Sequence, residues 1–152
     1  MGWDDFYQRR AAIDTFISAG GDSDVPAPFD DLDELLLALQ YRWALRLHSR
    51  VELAMLDAGA EPVDAVTSAW LQTTAADEQL RAILDAHADN LALRPMIRAE
   101  QRMVATAAGL TDAGDSPDEE AAVGAAFLTL VRSRPTRRGP VERLLHRLVP
   151  AN

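Results

Sequence analysis

The sequence contains no cysteine, no lysine and no apolar stretch of membrane-spanning length. Without cysteine there is no disulfide, no thiolate nucleophile and no zinc knuckle, and the chain suits a reducing compartment. The longest apolar run, residues 121–131, falls well short of the ~20 residues a spanning helix needs. The N-terminus opens on Trp3, Asp4, Asp5 and Phe6, where a signal peptide would carry basic residues followed by an apolar segment. The cytoplasm is therefore the expected setting, with no membrane partner. All 15 basic residues are arginine; with abundant alanine, that usage matches a high-GC bacterial genome and carries no functional message. No phosphate-cradling glycine loop, Ser/His/Asp arrangement or strand pattern is visible, and no cofactor is implied.

What remains is an ordinary globular composition. At 152 residues, 48% hydrophobic and 26% charged, the chain is long enough for one domain with a real core. Its net charge of −9 argues against nucleic acid, because phosphate binding depends on clustered cations. The charge is uneven, with acids crowding positions 4–34 and arginines crowding 132–147.

Helical periodicity runs through almost the whole sequence. Phe6, Arg10, Ile13 and Ile17 share a face, with Asp4 and Asp5 suited to a helix N-terminus and Gly20–Gly21 to its end. Two prolines make residues 22–29 a loop, with Val25 and Phe29 as its anchors. Asp30 or Asp31 then caps the dominant element, whose stripe is Leu32, Leu35, Leu36, Leu39, Trp43, Leu47, Val51 and Ala54. This helix is apolar around most of its girth, so it is expected to be enclosed, with Gly59 as its left-handed stop.

Pro62 opens the next helix, and Thr74-Ala-Ala-Asp77 reads as a capping box for the one after it. Asn90 or Pro95 starts a further helix that Gly109 closes. Ser116-Pro117-Asp118-Glu119 is the clearest helix start of all, and it leads into an apolar segment that belongs either to the core or between subunits. The chain is thus expected to be all-α: one bundle of about six to seven helices around a long helix at about 31–58. Its parts are a helix-plus-loop leader at 1–28, a core at 29–110, an apolar helix at 116–132 and a short amphipathic helix at 140–149.

Several constellations carry possible chemistry. Trp43, Trp70, Tyr41, Met55, Met96 and Met103 are a core or, alternatively, the lining of an apolar cavity. His87 lies on an apolar face, as a core or pocket histidine. Arg42, Arg46 and Arg50 form a stripe that either pairs with the acidic N-terminal segment or holds an anion. His48–Glu52 and Glu142–His146 are each spaced i,i+4, as in helix-surface pairs or two halves of a metal site. The expected ligand site is Tyr41, Arg42, Trp43, Arg46, Trp70, His87 and Met103. The expected dimer contacts are Gly124, Phe127, Leu128, Leu144 and Leu148, and no metal is assigned.

Three stretches carry a family resemblance: Phe29-Asp-Asp-Leu-Asp-Glu-Leu-Leu-Leu-Ala-Leu39, then Pro62-Val-Asp-Ala-Val66 with Ala69-Trp-Leu71, then Leu80-Arg-Ala-Ile-Leu-Asp-Ala86. Together they resemble the effector-binding half of TetR-type regulators across about 29–110. The resemblance implies a dimerising helical domain around a ligand cavity, with late helices pairing across a two-fold axis. No helix-turn-helix is recognisable in residues 1–28, so DNA binding does not transfer. Two functions follow. The first is a non-enzymatic helical module, homodimeric, that takes a small apolar or anionic ligand or a protein partner. The alternative is a metal-dependent enzyme of the DinB type, using His48, Glu142 and His146.

Overall fold

The computed structural model describes residues 2–57 and 59–134, all helix and connecting loop. Six α-helices appear there: α1 (Trp3–Ser18), α2 (Leu32–Met55), α3 (Pro62–Ala76), α4 (Glu78–Ala86), α5 (Arg94–Ala107) and α6 (Pro117–Ser133). A single 3₁₀ turn, Leu91–Leu93, precedes α5. The expected all-α bundle is thus what the chain forms, while the helix anticipated at 140–149 lies outside the described residues.

Local chemistry sets most of the boundaries. Asp4 and Asp5 occupy the first turn of α1, where the exposed amide groups favour negative charge. The helix ends as Gly20 N–H bonds the Ile17 carbonyl and Gly21 N–H bonds that of Phe16. That pairing needs a left-handed residue, and Gly20 supplies it at φ 71°. The end of α5 repeats the device at Gly109, φ 72°. In α2, Asp31 Oδ1 accepts the Glu34 N–H at 2.8 Å, while Glu34 Oε2 accepts the Asp30 N–H at 2.9 Å. Ser116 and Glu119 make a complete capping box on α6, with Pro117 in its first turn.

Two expected boundaries are corrected. The long helix stops at Met55, with Leu56 still in a right-handed conformation, so Gly59 is not its terminal residue. The Thr74–Asp77 box does not form. The Thr74 hydroxyl donates to the Trp70 carbonyl within α3, and Asp77 alone separates α3 from α4 with no side-chain cap. Threonine bonded back to the residue four before it is satisfied inside its own helix and does not open the next.

The core collects on one side of α2. Leu35, Leu36, Leu39, Trp43, Leu47 and Val51 are buried with Phe16, Val66, Trp70, Leu80, Leu84, Leu93 and Val104. Each large side chain contributes about 1.5–3 kcal/mol on burial. Enclosure of α2 is only one-sided among the described residues: Tyr41, Leu45, Leu53, Met55 and Leu56 stay exposed. The helix is therefore amphipathic in contact although apolar in composition.

The pairing of α5 with α6 depends on Gly124. A methyl group there would lie 1.8 Å from the Gln101 carbonyl oxygen, so the two backbones touch where the side chain is missing. Phe127, Leu128 and Val131 continue the buried face, while Ala122, Ala126 and Leu130 point outward.

Candidate functional site

Three places in the fold gather the residues with chemical potential. The first is a polar cluster at the margin of the core, running from buried Gln40 and Arg81 out to exposed Asp85 and Arg132. Spacing puts Gln40 on the buried stripe of α2, Arg81 on that of α4, and Glu100 three residues after Ile97 and four before Val104 on α5. Glu100 Oε1 accepts the Trp43 indole N–H at 2.5 Å and the Gln40 amide at 3.4 Å. The Arg81 guanidinium lies 4.5 Å above the Trp43 ring, and its Nε donates to Asp85 at 3.0 Å. Arg132 of α6 reaches the same Asp85 oxygen at 2.9 Å and stacks 4.9 Å over Trp70. The two indoles meet edge to face, with centroids 5.9 Å apart.

Burial pushes the Glu100 carboxyl above the usual glutamate range, against the opposing pull of Arg81 and of the bonds from Trp43 and Gln40. Burial likewise lowers the Arg81 guanidinium, opposed by Asp85 and Glu100. A raised carboxyl is the kind of group that general acid–base chemistry uses. Glu100, itself half-buried, does not line either of the two grooves described next. The cluster ties α2, α4, α5 and α6 together.

The second place is an open groove of about 1010 Å³ between the end of α2 and α5, bordered by Glu120 of α6. Val51, Leu53, Met55, Leu56, Met103 and Ala107 form its apolar part, and His48, Glu52, Arg102 and Thr106 its polar edge. Leu53, Met55 and Leu56 are 72%, 42% and 80% exposed. His48 Nε2 and Glu52 Oε1 pair at 2.9 Å, whereas Arg102 stands a loose 3.9 Å from Glu120.

The third place is a groove of about 690 Å³ between α1 and α2. Phe6, Ile13, Leu37, Tyr41 and Leu45 line it, along with Arg9, Arg10, Arg42 and Arg46. Arg42 pairs with Asp14 at 2.7 Å and Arg46 with Asp77 at 2.6 Å.

The residues anticipated as one ligand site are therefore distributed. Tyr41, Arg42 and Arg46 come together in the α1–α2 groove; Trp43 and Trp70 pack on each other in the core; Met103 belongs to the α2–α5 groove. His87 stands apart as the half-buried residue that ends α4. Of the anticipated dimer contacts, Gly124, Phe127 and Leu128 are buried within the protomer, while Leu144 and Leu148 lie outside the described residues. Glu142 and His146 lie outside them too. Among the described residues no three His, Asp or Glu side chains converge as a metal-ligand set.

Gln40, Arg81 and Glu100 were not anticipated. Their signal was nonetheless present, since each is a polar residue at an inward position of an apolar stripe. No described helix is long and apolar enough to cross a membrane. No family model, curated protein or solved structure matches the chain.

Proposed function

We propose that the chain is a non-enzymatic binding module, and that its ligand is an apolar molecule with an anionic head, held in the α2–α5 groove. The observation that supports this is the bare cluster Leu53, Met55 and Leu56 facing Met103 across a groove of about 1010 Å³. Ligand sites are typically concave, mostly apolar, about 300–1,000 Å³ in volume, with a few polar groups at defined points. Methionine adapts its shape to what it contacts, which suits Met55 and Met103 to an apolar tail. Arg102, only loosely engaged by Glu120, is the group free to grip a carboxylate. The resemblance of residues 29–110 to TetR-type effector domains agrees with a ligand-binding role.

A fluorescent medium-chain fatty acid is the probe. The wild-type chain is expected to bind it, Met103→Glu to lose binding, and Arg102→Met to weaken it by about tenfold or more, since a hydrogen bond to a charged group contributes about 1.5–3 kcal/mol. An uncharged ester of the same acid should bind both wild type and Arg102→Met alike. No binding by the wild type, or binding that Met103→Glu leaves intact, overturns the proposal.

A further inference from the structure

The first two turns of α1 present Trp3, Phe6 and Tyr7 to solvent at 75%, 54% and 57% exposure. The three rings pack on one another, with centroids 5.5–6.4 Å apart. Phe6 continues into Tyr41 and Leu45 of α2, themselves 58% and 52% exposed, across the α1–α2 groove. With aromatic side chains of ~150–250 Å² each, the bare patch is on the order of 600 Å². That is as large as a monomer normally leaves uncovered, and it approaches the ~800 Å² each partner gives to a stable dimer.

The pattern along α1 says what covers it. Trp3, Phe6, Tyr7 and Arg10 share one helical face, by their spacing of three and four. The helix is acidic at its start, Asp4 and Asp5, and basic just beyond, Arg9 and Arg10. Arg9 is already held by Glu34 and the Phe29 ring, whereas Arg10 and Asp4 make no ion pair or ring contact among the described residues. This sequence is complementary to itself when reversed. We infer that α1 is the interface of a homodimer, two copies packing antiparallel about a two-fold axis between Phe6 and Tyr7.

In that register Trp3 lies over the partner's Arg10 and Phe6 against the partner's Tyr7, each contact occurring twice, as an isologous interface requires. The acidic first turn of one copy then sits beside the arginines of the other. A parallel pairing would set acid against acid and arginine against arginine. Stacking arginine on tryptophan is already this chain's habit, at Trp43 and at Trp70. The interface goes beyond the ligand-binding proposal and does not depend on it, because Leu53, Leu56 and Met103 take no part.

Sedimentation equilibrium of the full chain at micromolar concentration is the test. Wild type is expected at twice the chain mass, Phe6→Glu and Arg10→Glu at the single mass with unchanged helical ellipticity, and Leu56→Glu still at twice the mass. Orientation is read by cross-linking, since the chain has no cysteine of its own. Two Tyr7→Cys sites would lie about 10 Å apart across helices packed at 8–10 Å. Two Ser18→Cys sites would stand roughly 35 Å apart at 1.5 Å rise per residue. A short bismaleimide should therefore join the first pair only. A monomeric wild type, a folded Phe6→Glu dimer, or equal cross-linking at both positions overturns the inference. So does a monomer that instead sediments with anionic lipid vesicles through Trp3 and Arg10.

Discussion

Replacing Glu100 by leucine tests whether the buried cluster holds the bundle together or is merely tolerated by it. The carboxylate accepts the Trp43 N–H at 2.5 Å and the Gln40 amide at 3.4 Å, and faces the charge of Arg81. Leucine removes the acceptor and leaves the Trp43 N–H buried without a partner, which costs about 1–3 kcal/mol. Arg81 keeps Asp85 at 3.0 Å, so the full ~3–5 kcal/mol of a broken buried pair is not incurred. The expected loss is about 2–4 kcal/mol out of the 5–15 kcal/mol typical of a domain. Glu100→Gln keeps an oxygen for Trp43 and discards the charge, and should fall within about 1 kcal/mol of wild type. The two also differ in pH dependence. Because burial raises the Glu100 carboxyl, the folded chain binds that proton more tightly than the unfolded one. Its stabilising effect is complete below the ordinary glutamate value and is lost as pH rises through the raised one. Wild type should thus lose stability relative to Glu100→Gln as pH climbs from about 4.3 upward. Urea unfolding followed by far-ultraviolet ellipticity at several pH values measures both effects. A Glu100→Leu variant as stable as wild type, or a Glu100→Gln curve parallel to it, refutes the reasoning.

Gly124→Ala should separate α5 from α6 and cost about 3 kcal/mol or more, because the new carbon meets Gln101 backbone that cannot swing aside. Ala126→Ser on the outward face should stay within about 0.5 kcal/mol of wild type, and a drop there as large as at Gly124 would discard the explanation. The two core tryptophans should respond unequally to phenylalanine. Trp70 Nε1 is buried with no partner among the described residues, so losing it relieves an unpaired donor and offsets part of the lost packing. Trp43→Phe strips a donor from the Glu100 carboxylate and should be the more destabilising of the pair, by about 1–2 kcal/mol in denaturation midpoints converted to free energy.

Much of this fold can be read before any coordinates, and the reason is local. Asp31, Pro62, Ser116 with Glu119, Gly20 and Gly109 each act on backbone within a few residues, so their roles follow from sequence alone. Thr74 misleads because a threonine near a helix end can bond backward as readily as forward, and only packing chooses. The site is harder to read, for it depends on which helix faces lie opposite one another. Trp43 and Met103 both look like cavity lining, yet one is sealed against Trp70 and the other opens on solvent. Glu100 sits at an inward position of its helix, but its partners show only when Gln40, Arg81 and Trp43 converge on it from α2 and α4.

The outward flank of α2 argues for two separate docking regions and against one continuous partner. Tyr41 and Leu45 stand exposed near its middle, Leu53 in its last turn and Leu56 just past its end, all on the same side. Between them the same side carries His48, Ser49 and Glu52, all exposed, with His48 and Glu52 satisfying each other at 2.9 Å. A single partner laid along the whole flank would have to bury that hydrogen-bonded polar pair in its middle, away from water. Two separate occupants meet it only at the edge of the α2–α5 groove. The stretch from Tyr41 to Leu45 continues into the aromatic face of α1, which is self-complementary in charge, while the stretch from Leu53 to Leu56 borders a groove with methionines and a loosely held arginine. On the two proposals above, a second copy of the chain takes the first stretch and an apolar anion the second, so charge-reversing substitutions at one should leave binding at the other unchanged.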